Sequence, residues 1–196
     1  MDLSQLMGKD HMNRLSIALL HHPVVDRFGE LYTTAITNID VHDIARSART
    51  FGLSQYYLVT PIEAQRALAH TIKDFWIDGS GKDRNRDRTQ AMELIEVRSS
   101  FAECIEHERS LTGADPLLIA TSAKDCEKKP IDFAEGQSLL KNHSSVILIF
   151  GTGYGLASSV VEQAHHLLAP IKGSEDYNHL SVRSAVAIVL DRLCGH

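Results

Sequence analysis

The stretch Val146-Ile147-Leu148-Ile149-Phe150-Gly151-Thr152-Gly153-Tyr154-Gly155-Leu156 decides how this chain is read. Consecutive apolar residues running into glycine describe a strand buried on both faces, as in a parallel sheet. The glycines permit positive φ and let a ligand approach the backbone closely, which a ligand lying across strand ends requires. A tight strand-to-helix turn satisfies the same triplet, so spacing alone leaves both readings open. The dinucleotide fingerprint G-x-G-x-x-G fails, because Leu156 holds the third glycine position and about 40 residues follow, too few for the strands that such a cofactor crosses. A phosphate-cradling loop fails because no Gly-Lys-Ser/Thr follows the glycines.

The pattern repeats outward from this strand. Leu15–Leu20, Gln55–Val59, Pro116–Thr121, Ser145–Phe150 and a short Leu167–Ala169 read as strands separated by amphipathic stretches. The class is α/β, a mostly parallel sheet with helices on both faces. Asp40–Phe51 is a helix with Ile44, Ala48 and Phe51 on one face, Asp40 as its N-cap, Asp43 in its first turn and Gly52 as its stop. Ser181–Leu193 carries an apolar stripe of Val182, Ala185, Val186, Val189 and Leu193. Gly79-Ser80-Gly81, followed by Lys82, Arg84, Arg86 and Arg88 among Asp83, Asn85 and Asp87, reads as an exposed loop. No repeat or long linker interrupts the chain, so 1–196 reads as a single domain.

Composition narrows the function classes. With 20 Lys+Arg against 25 Asp+Glu the formal charge is −5, which excludes a generally basic nucleic-acid coat. At 43% hydrophobic and 23% charged residues the chain is not intrinsically disordered. Cys104, Cys126 and Cys194 show no C-x-x-C spacing, which argues against a zinc ribbon or a secreted disulfide framework. No apolar run approaches the ~20 residues of a membrane span, and Met1–Asp10 lacks a signal-peptide core. A cytoplasmic protein away from the membrane is the expectation. The pairs His21-His22 and His165-His166 leave no third ligand in evidence, so no metal site is expected.

Seventeen residues past Gly153 stands Pro170-Ile171-Lys172-Gly173, and then Tyr177-Asn178-His179-Leu180-Ser181 opens the final helix. This order of a glycine loop, a P-I-K-G loop and an N-H-L-S-V-R-S-A helix start resembles the C-terminal half of SPOUT RNA methyltransferases. Thr37-Asn38-Ile39-Asp40-Val41-His42-Asp43-Ile44-Ala45-Arg46-Ser47-Ala48, ending in Phe51-Gly52, resembles the first motif of that superfamily. With His22-Pro23-Val24, Thr34 and Asn38, the chain is similar to a bacterial group found alone or fused to a tRNA guanine-N1 methyltransferase domain. The resemblance implies a deep C-terminal trefoil knot holding S-adenosylmethionine, and a homodimer with its substrate cleft between protomers.

It also assigns roles. Thr121, Gly151, Thr152, Gly153, Gly155, Leu156, Ile171, Lys172, Gly173, Asn178, His179, Leu180, Ser181 and Ser184 are implied to contact the cofactor. Arg46 matches the superfamily arginine at the methyl-transfer site; being protonated, it orients better than it accepts a proton. Methyl transfer from a sulfonium requires alignment and removal of a proton from the nucleophile. Asp40, His42 and Asp43 are the candidate acceptors, with Asp176 and Tyr177 behind them. Ribose-2′-O members carry asparagine where this chain has Asp40, and a second asparagine is replaced by Ser181, so a base nitrogen is at least as strong a target as the ribose. For RNA, Lys82, Arg84, Arg86 and Arg88 against Asp83 and Asp87 give a local excess of 4 − 2 = +2, to which Arg46, Arg49 and Lys73 add. No aromatic stacking platform stands out. The leading expectation is an S-adenosylmethionine-dependent methyltransferase acting on tRNA or rRNA. The alternatives are a non-catalytic module that binds S-adenosylmethionine and RNA beside a partner enzyme such as a tRNA methyltransferase, and an unknotted nucleotide-binding enzyme.

Overall fold

A computed structural model describes residues 13–124, 127–174 and 177–195. Met1–Asp10, Cys126 and Asp176, which the sequence reading singled out, lie outside the described residues. The first third of the fold runs β1 (Arg14–Leu20), β2 (Val24–Val25), β3 (Leu31–Tyr32), α1 (Asn38–Thr50), β4 (Gln55–Val59) and α2 (Glu63–Ile77). Next come α3 (Arg86–Met92), β5 (Ile95–Arg98), α4 (Phe101–Thr112) and β6 (Leu117–Thr121). The chain continues with α5 (Phe133–Asn142), β7 (Ser145–Gly151), α6 (Ser158–Gln163), β8 (His166–Leu168) and α7 (Val182–Cys194).

Six strands form one parallel sheet in the order β5-β4-β1-β7-β6-β8, and β2 pairs antiparallel with β3 in a separate hairpin. Alternate side chains sort onto two faces, as strand geometry demands. Ile17, Leu19, Tyr56, Leu58, Leu148 and Phe150 meet residues of α1, α2, α3, α5 and α7 on one side. Ala18, Leu20, Tyr57, Val59, Ile147 and Ile149 meet Phe101 and Cys104 of α4 and Val160 and Val161 of α6 on the other. Because both faces are covered, β7 is buried along its whole apolar run.

The expected strands are all present, with ends displaced by a residue or so. Unforeseen is β5, an edge strand of four residues whose Glu96 and Arg98 break the apolar run. Two expectations are corrected. Helix α1 begins at Asn38 with Thr37 in the N-cap position, and Asp40 sits inside the first turn. There its Oδ2 accepts from Thr37 Oγ1 at 2.5 Å, a local bond that fixes the helix start ahead of Asp40. The second concerns Arg86–Arg88, which belong to α3, because the Asn85 side chain accepts from Arg88 N and caps that helix.

One charge lies fully inside the sheet–helix interface. The Glu108 side chain on α4 has no exposed surface, and it accepts hydrogen bonds from Ser16 Oγ (2.6 Å), Tyr57 OH (2.9 Å), Ser145 Oγ (3.1 Å) and Arg14 Nε (3.1 Å). Burial pushes its carboxyl pKa up, but the bonds from Arg14, Ser16 and Tyr57 outweigh that and hold it below the ordinary range. This single carboxylate thereby ties α4 to β1, β4 and β7.

Candidate functional site

Strand order reverses beside β1, and in open α/β sheets that is where ligands sit, beyond the carboxyl ends of the strands. A cavity of about 970 Å³ opens there, at the large end of the range for small-molecule sites. Register explains the convergence. Leu20 pairs with Gly151 and Thr121 pairs with Leu168, so four strands end on the same hollow.

The structure brings most of the expected cofactor residues together. Thr121, the glycine loop Gly151, Thr152, Gly153 and Gly155, then Ile171, and Asn178, His179, Leu180 and Ser181 all line the cavity. Four do not. Leu156 packs beneath the glycine loop, Lys172 and Gly173 are exposed on their loop, and Ser184 stands behind Ser181, which caps α7. Two glycines show why a nucleoside cofactor fits this wall. A Cβ on Gly151 would stand 2.7 Å from Leu156 N, whereas Gly155, at φ +114°, has no other atom within 4 Å of that position. Gly151 is thus packed tightly against the rest of its loop, while Gly155 borders open space. Leu168, Ile171, Leu180 and Val189 supply the apolar part of a lining that also carries polar and charged side chains, among them Asp40, Thr121, Asn178 and Arg183, and an adenosine moiety needs both.

The catalytic candidates separate. Asp40 lines the cavity; His42 and Arg46 do not. His42 is set edge-on to Trp76 at 5.7 Å between ring centres, and burial, with the Arg88 and Arg46 cations, lowers its pKa despite Asp43. Arg46 lines a second, smaller hollow of about 250 Å³ with Arg49, Asn85, Asp87 and Arg88. Of the expected RNA residues, Arg88 lies over the Trp76 ring at 4.7 Å, while Lys82, Arg84 and Arg86 are exposed.

Sequence reasoning missed two cations that line the cavity, Lys124 and Arg183. Arg183, in the first turn of α7, places Nη1 3.0 Å from Asp40 Oδ1 and Nε 3.7 Å from Asp43 Oδ2. A cation at a helix N-terminus opposes the macrodipole, and the two α1 carboxylates offset that cost. The quoted N-H-L-S-V-R-S-A start contains Arg183, but nothing in its spacing reports that it meets α1.

His21 and Thr34, quoted from the sequence without a site role, line the cavity as well. Thr152 Oγ1 donates to the Leu20 carbonyl (3.1 Å), which requires Thr34 Oγ1 to donate to Thr152 Oγ1 (2.5 Å). His21 Nδ1 must then carry the proton in its bond to Thr34 Oγ1 (2.9 Å). The relay locks the tautomer and leaves Nε2 as a buried lone pair without a hydrogen-bond partner among the described residues. Burial lowers the His21 pKa to about 4, against the opposing pull of Asp40.

A parallel α/β sheet with a glycine-loop cavity at its switch point defines a protein that binds a nucleoside-type cofactor. Residues 14–195 match the model of the SAM-dependent RNA methyltransferases, and the chain belongs to that family. It is 41% identical over 181 residues to a tRNA (guanine-N(1)-)-methyltransferase of Oleidesulfovibrio alaskensis, covering 92% of this chain and 42% of that protein. It is 37% identical over 177 residues to an uncharacterized protein of Aquifex aeolicus, covering 90% of this chain and 86% of that one. The chain therefore spans under half of the first relative and most of the second. Among solved structures, a probable methylase family protein from Haemophilus influenzae Rd KW20 superposes with a TM-score of 0.61 at 20% identity, over 93% of this chain and 65% of that chain. The SPOUT resemblance and its cofactor, S-adenosylmethionine, agree with this family.

Proposed function

We propose that the chain methylates a nucleotide of tRNA, with Asp40 accepting the proton released by the nucleophile. The observation that carries the assignment is that Asp40 lines the cofactor cavity, whereas the other first-motif candidates His42, Asp43 and Arg46 do not. Bound there, S-adenosylmethionine supplies an electrophilic methyl group. The glycine loop and Asn178–Ser181 hold it against the apolar wall. Arg183 and Thr37 fix the carboxylate of Asp40 from two sides, so its remaining lone pairs are aimed before substrate arrives. Arg46 and Arg49, which have no carboxylate partner among the described residues, belong with Arg88 to RNA phosphate contact, joined by Lys82, Arg84 and Arg86.

The wider reading is one SPOUT domain, knotted at its C-terminus and active as a cytoplasmic homodimer, alone or beside a partner tRNA methyltransferase. Free Cys104 and Cys194 suit a reducing compartment, and no described helix is long and apolar enough to cross a membrane. A non-catalytic module would need the cavity but not an anchored carboxylate within it, and Asp40 favours the enzyme.

The test uses Asp40→Asn. Calorimetry with S-adenosylmethionine should give the wild-type dissociation constant within about threefold, a difference under 1 kcal/mol. Methyl transfer to RNA from cells lacking the protein should fall by about 10²- to 10⁴-fold. Unchanged turnover would remove Asp40 from the mechanism. Absence of turnover in the wild type, with cofactor binding intact, would favour the binding module.

A further inference from the structure

The β2–β3 hairpin buries Val24 in the core beside Leu156 and leaves its outer side chains uncovered at the rim of the cofactor cavity. Its backbone is fastened to the glycine loop: Val25 N donates to Gly155 O (3.0 Å), Tyr154 N to Val25 O (3.2 Å) and Ala157 N to Pro23 O (3.2 Å). The tip is held by Asp26, whose Oδ1 accepts from Phe28 N (2.7 Å) and Glu30 N (3.0 Å), and by Gly29 at φ +85°. On this anchored ribbon Phe28 is 73% exposed, Leu31 67% and Tyr32 55%, and beside it Tyr154 at the tip of the glycine loop is 54% exposed. Two of these rings carry a cation. The Arg27 guanidinium lies 4.6 Å from the Phe28 ring centre and Lys124 Nζ 5.5 Å from that of Tyr154.

We propose that Phe28, Tyr32 and Tyr154 form a stacking platform for unpaired bases of the RNA substrate, flanking the nucleotide that receives the methyl group. The inference rests on the reading of the chain as an RNA methyltransferase and names the form of RNA it takes. Four physical points support it. Large apolar side chains are costly to leave in water, so four exposed ones on the hairpin and the loop fastened to it mark a region that is covered in use. Three of the four are aromatic, and aromatic faces take any base by stacking, whereas aliphatic side chains do not. The cations on the rings match a phosphate backbone running past them, with Asp26 committed to the turn. Finally, the patch is continuous with the cavity through Tyr154, which belongs to both. Sequence-specific RNA recognition targets single strands because only unstacked bases expose their faces and edges. A duplex would present the hairpin with nothing to stack on.

The experiment is fluorescence anisotropy with a labelled 12-nucleotide oligouridylate, an oligoadenylate of the same length and a duplex of the two. Wild type should bind the single strands about tenfold or more tightly than the duplex. Phe28→Leu and Tyr32→Leu keep apolar area but remove the ring, and each should weaken single-strand binding by about 5- to 100-fold. Phe28→Trp should restore it. Titration with S-adenosylmethionine should be unchanged in both leucine variants, and sedimentation should show the wild-type oligomeric state. Leucine variants that bind RNA like wild type would overturn the platform. So would a Phe28→Ala variant that dissociates the oligomer, because the occupant would then be a second copy of the chain. Equal affinity of wild type for single strand and duplex would also overturn it. A wild type that binds S-adenosylmethionine but neither form of RNA would overturn the RNA reading itself, whereas loss confined to the leucine variants concerns this surface and supports it.

Discussion

His21 and Glu108 are both buried ionisable side chains, and their surroundings make opposite use of burial. His21 is kept neutral. Its Nδ1–H starts the relay through Thr34 to Thr152, while Nε2 has no hydrogen-bond partner among the described residues to stabilise a second proton. Its pKa is about 4 in the fold against 6.5 in the unfolded chain, so between those values the unfolded state binds more protons. Stability should therefore fall as pH drops from 6.5 to about 4. Urea denaturation across that window should show the decline, and His21→Asn should flatten it. Glu108 is kept charged, its folded pKa held below the ordinary carboxylate range by Arg14, Ser16 and Tyr57 against burial. Its contribution is present at neutral pH and is lost as pH falls through the depressed folded value. Glu108→Ala leaves the Ser16, Tyr57 and Ser145 hydroxyls without their acceptor and should cost about 3 kcal/mol at pH 7, read from the urea midpoint.

At the scale of elements, the glycine loop and the ends of α1 and α7 decide what the cavity can hold. Gly151 closes β7 against the backbone of Gly155 and Leu156, so Gly151→Ala must displace the loop that lines the cavity. The expected result is a loss of S-adenosylmethionine affinity of about tenfold or more, equivalent to about 1.4 kcal/mol, seen by calorimetry on a protein with wild-type circular dichroism. Gly52 illustrates a different constraint. It ends α1 at φ +71° with open space around its missing Cβ, so Gly52→Ala should cost only about 1 kcal/mol of stability and leave cofactor binding untouched.

For the whole molecule, the formal charge of −5 repels RNA at long range, and binding must come from local cations. Arg46 and Arg49 on α1 and Arg88 on α3 meet in the second hollow, with Asp87 as its one carboxylate among the described residues. Replacing Arg46 and Arg49 by glutamine should reduce the slope of log affinity against log salt by about 1.4, at about 0.7 per phosphate contact on a single strand. Cofactor titration should be unaffected, because neither arginine lines the cofactor cavity. An unchanged salt slope would place the RNA elsewhere on the protein.

The sequence by itself determined the α/β class, its principal strands and the glycine loop that follows β7, while the family resemblance added the final helix start as an expected cofactor wall. These are local signals: an apolar run such as Val146–Phe150 cannot be exposed, and a glycine triplet after it needs backbone freedom wherever the chain goes. The short edge strand Ile95–Arg98 and the two-residue strands of the hairpin carried no comparable signal, since each has too few residues to set a period. Only the tertiary structure decided that Arg183 meets Asp40 across 143 positions, that Thr34 meets Thr152 across 118, and that Arg46 turns toward α3. It also fastened the hairpin that carries Phe28 and Tyr32 to the loop that carries Tyr154. Pairings of this kind depend on which helix crosses which strand end, and no residue type or spacing along the chain encodes that separately from the folded sheet.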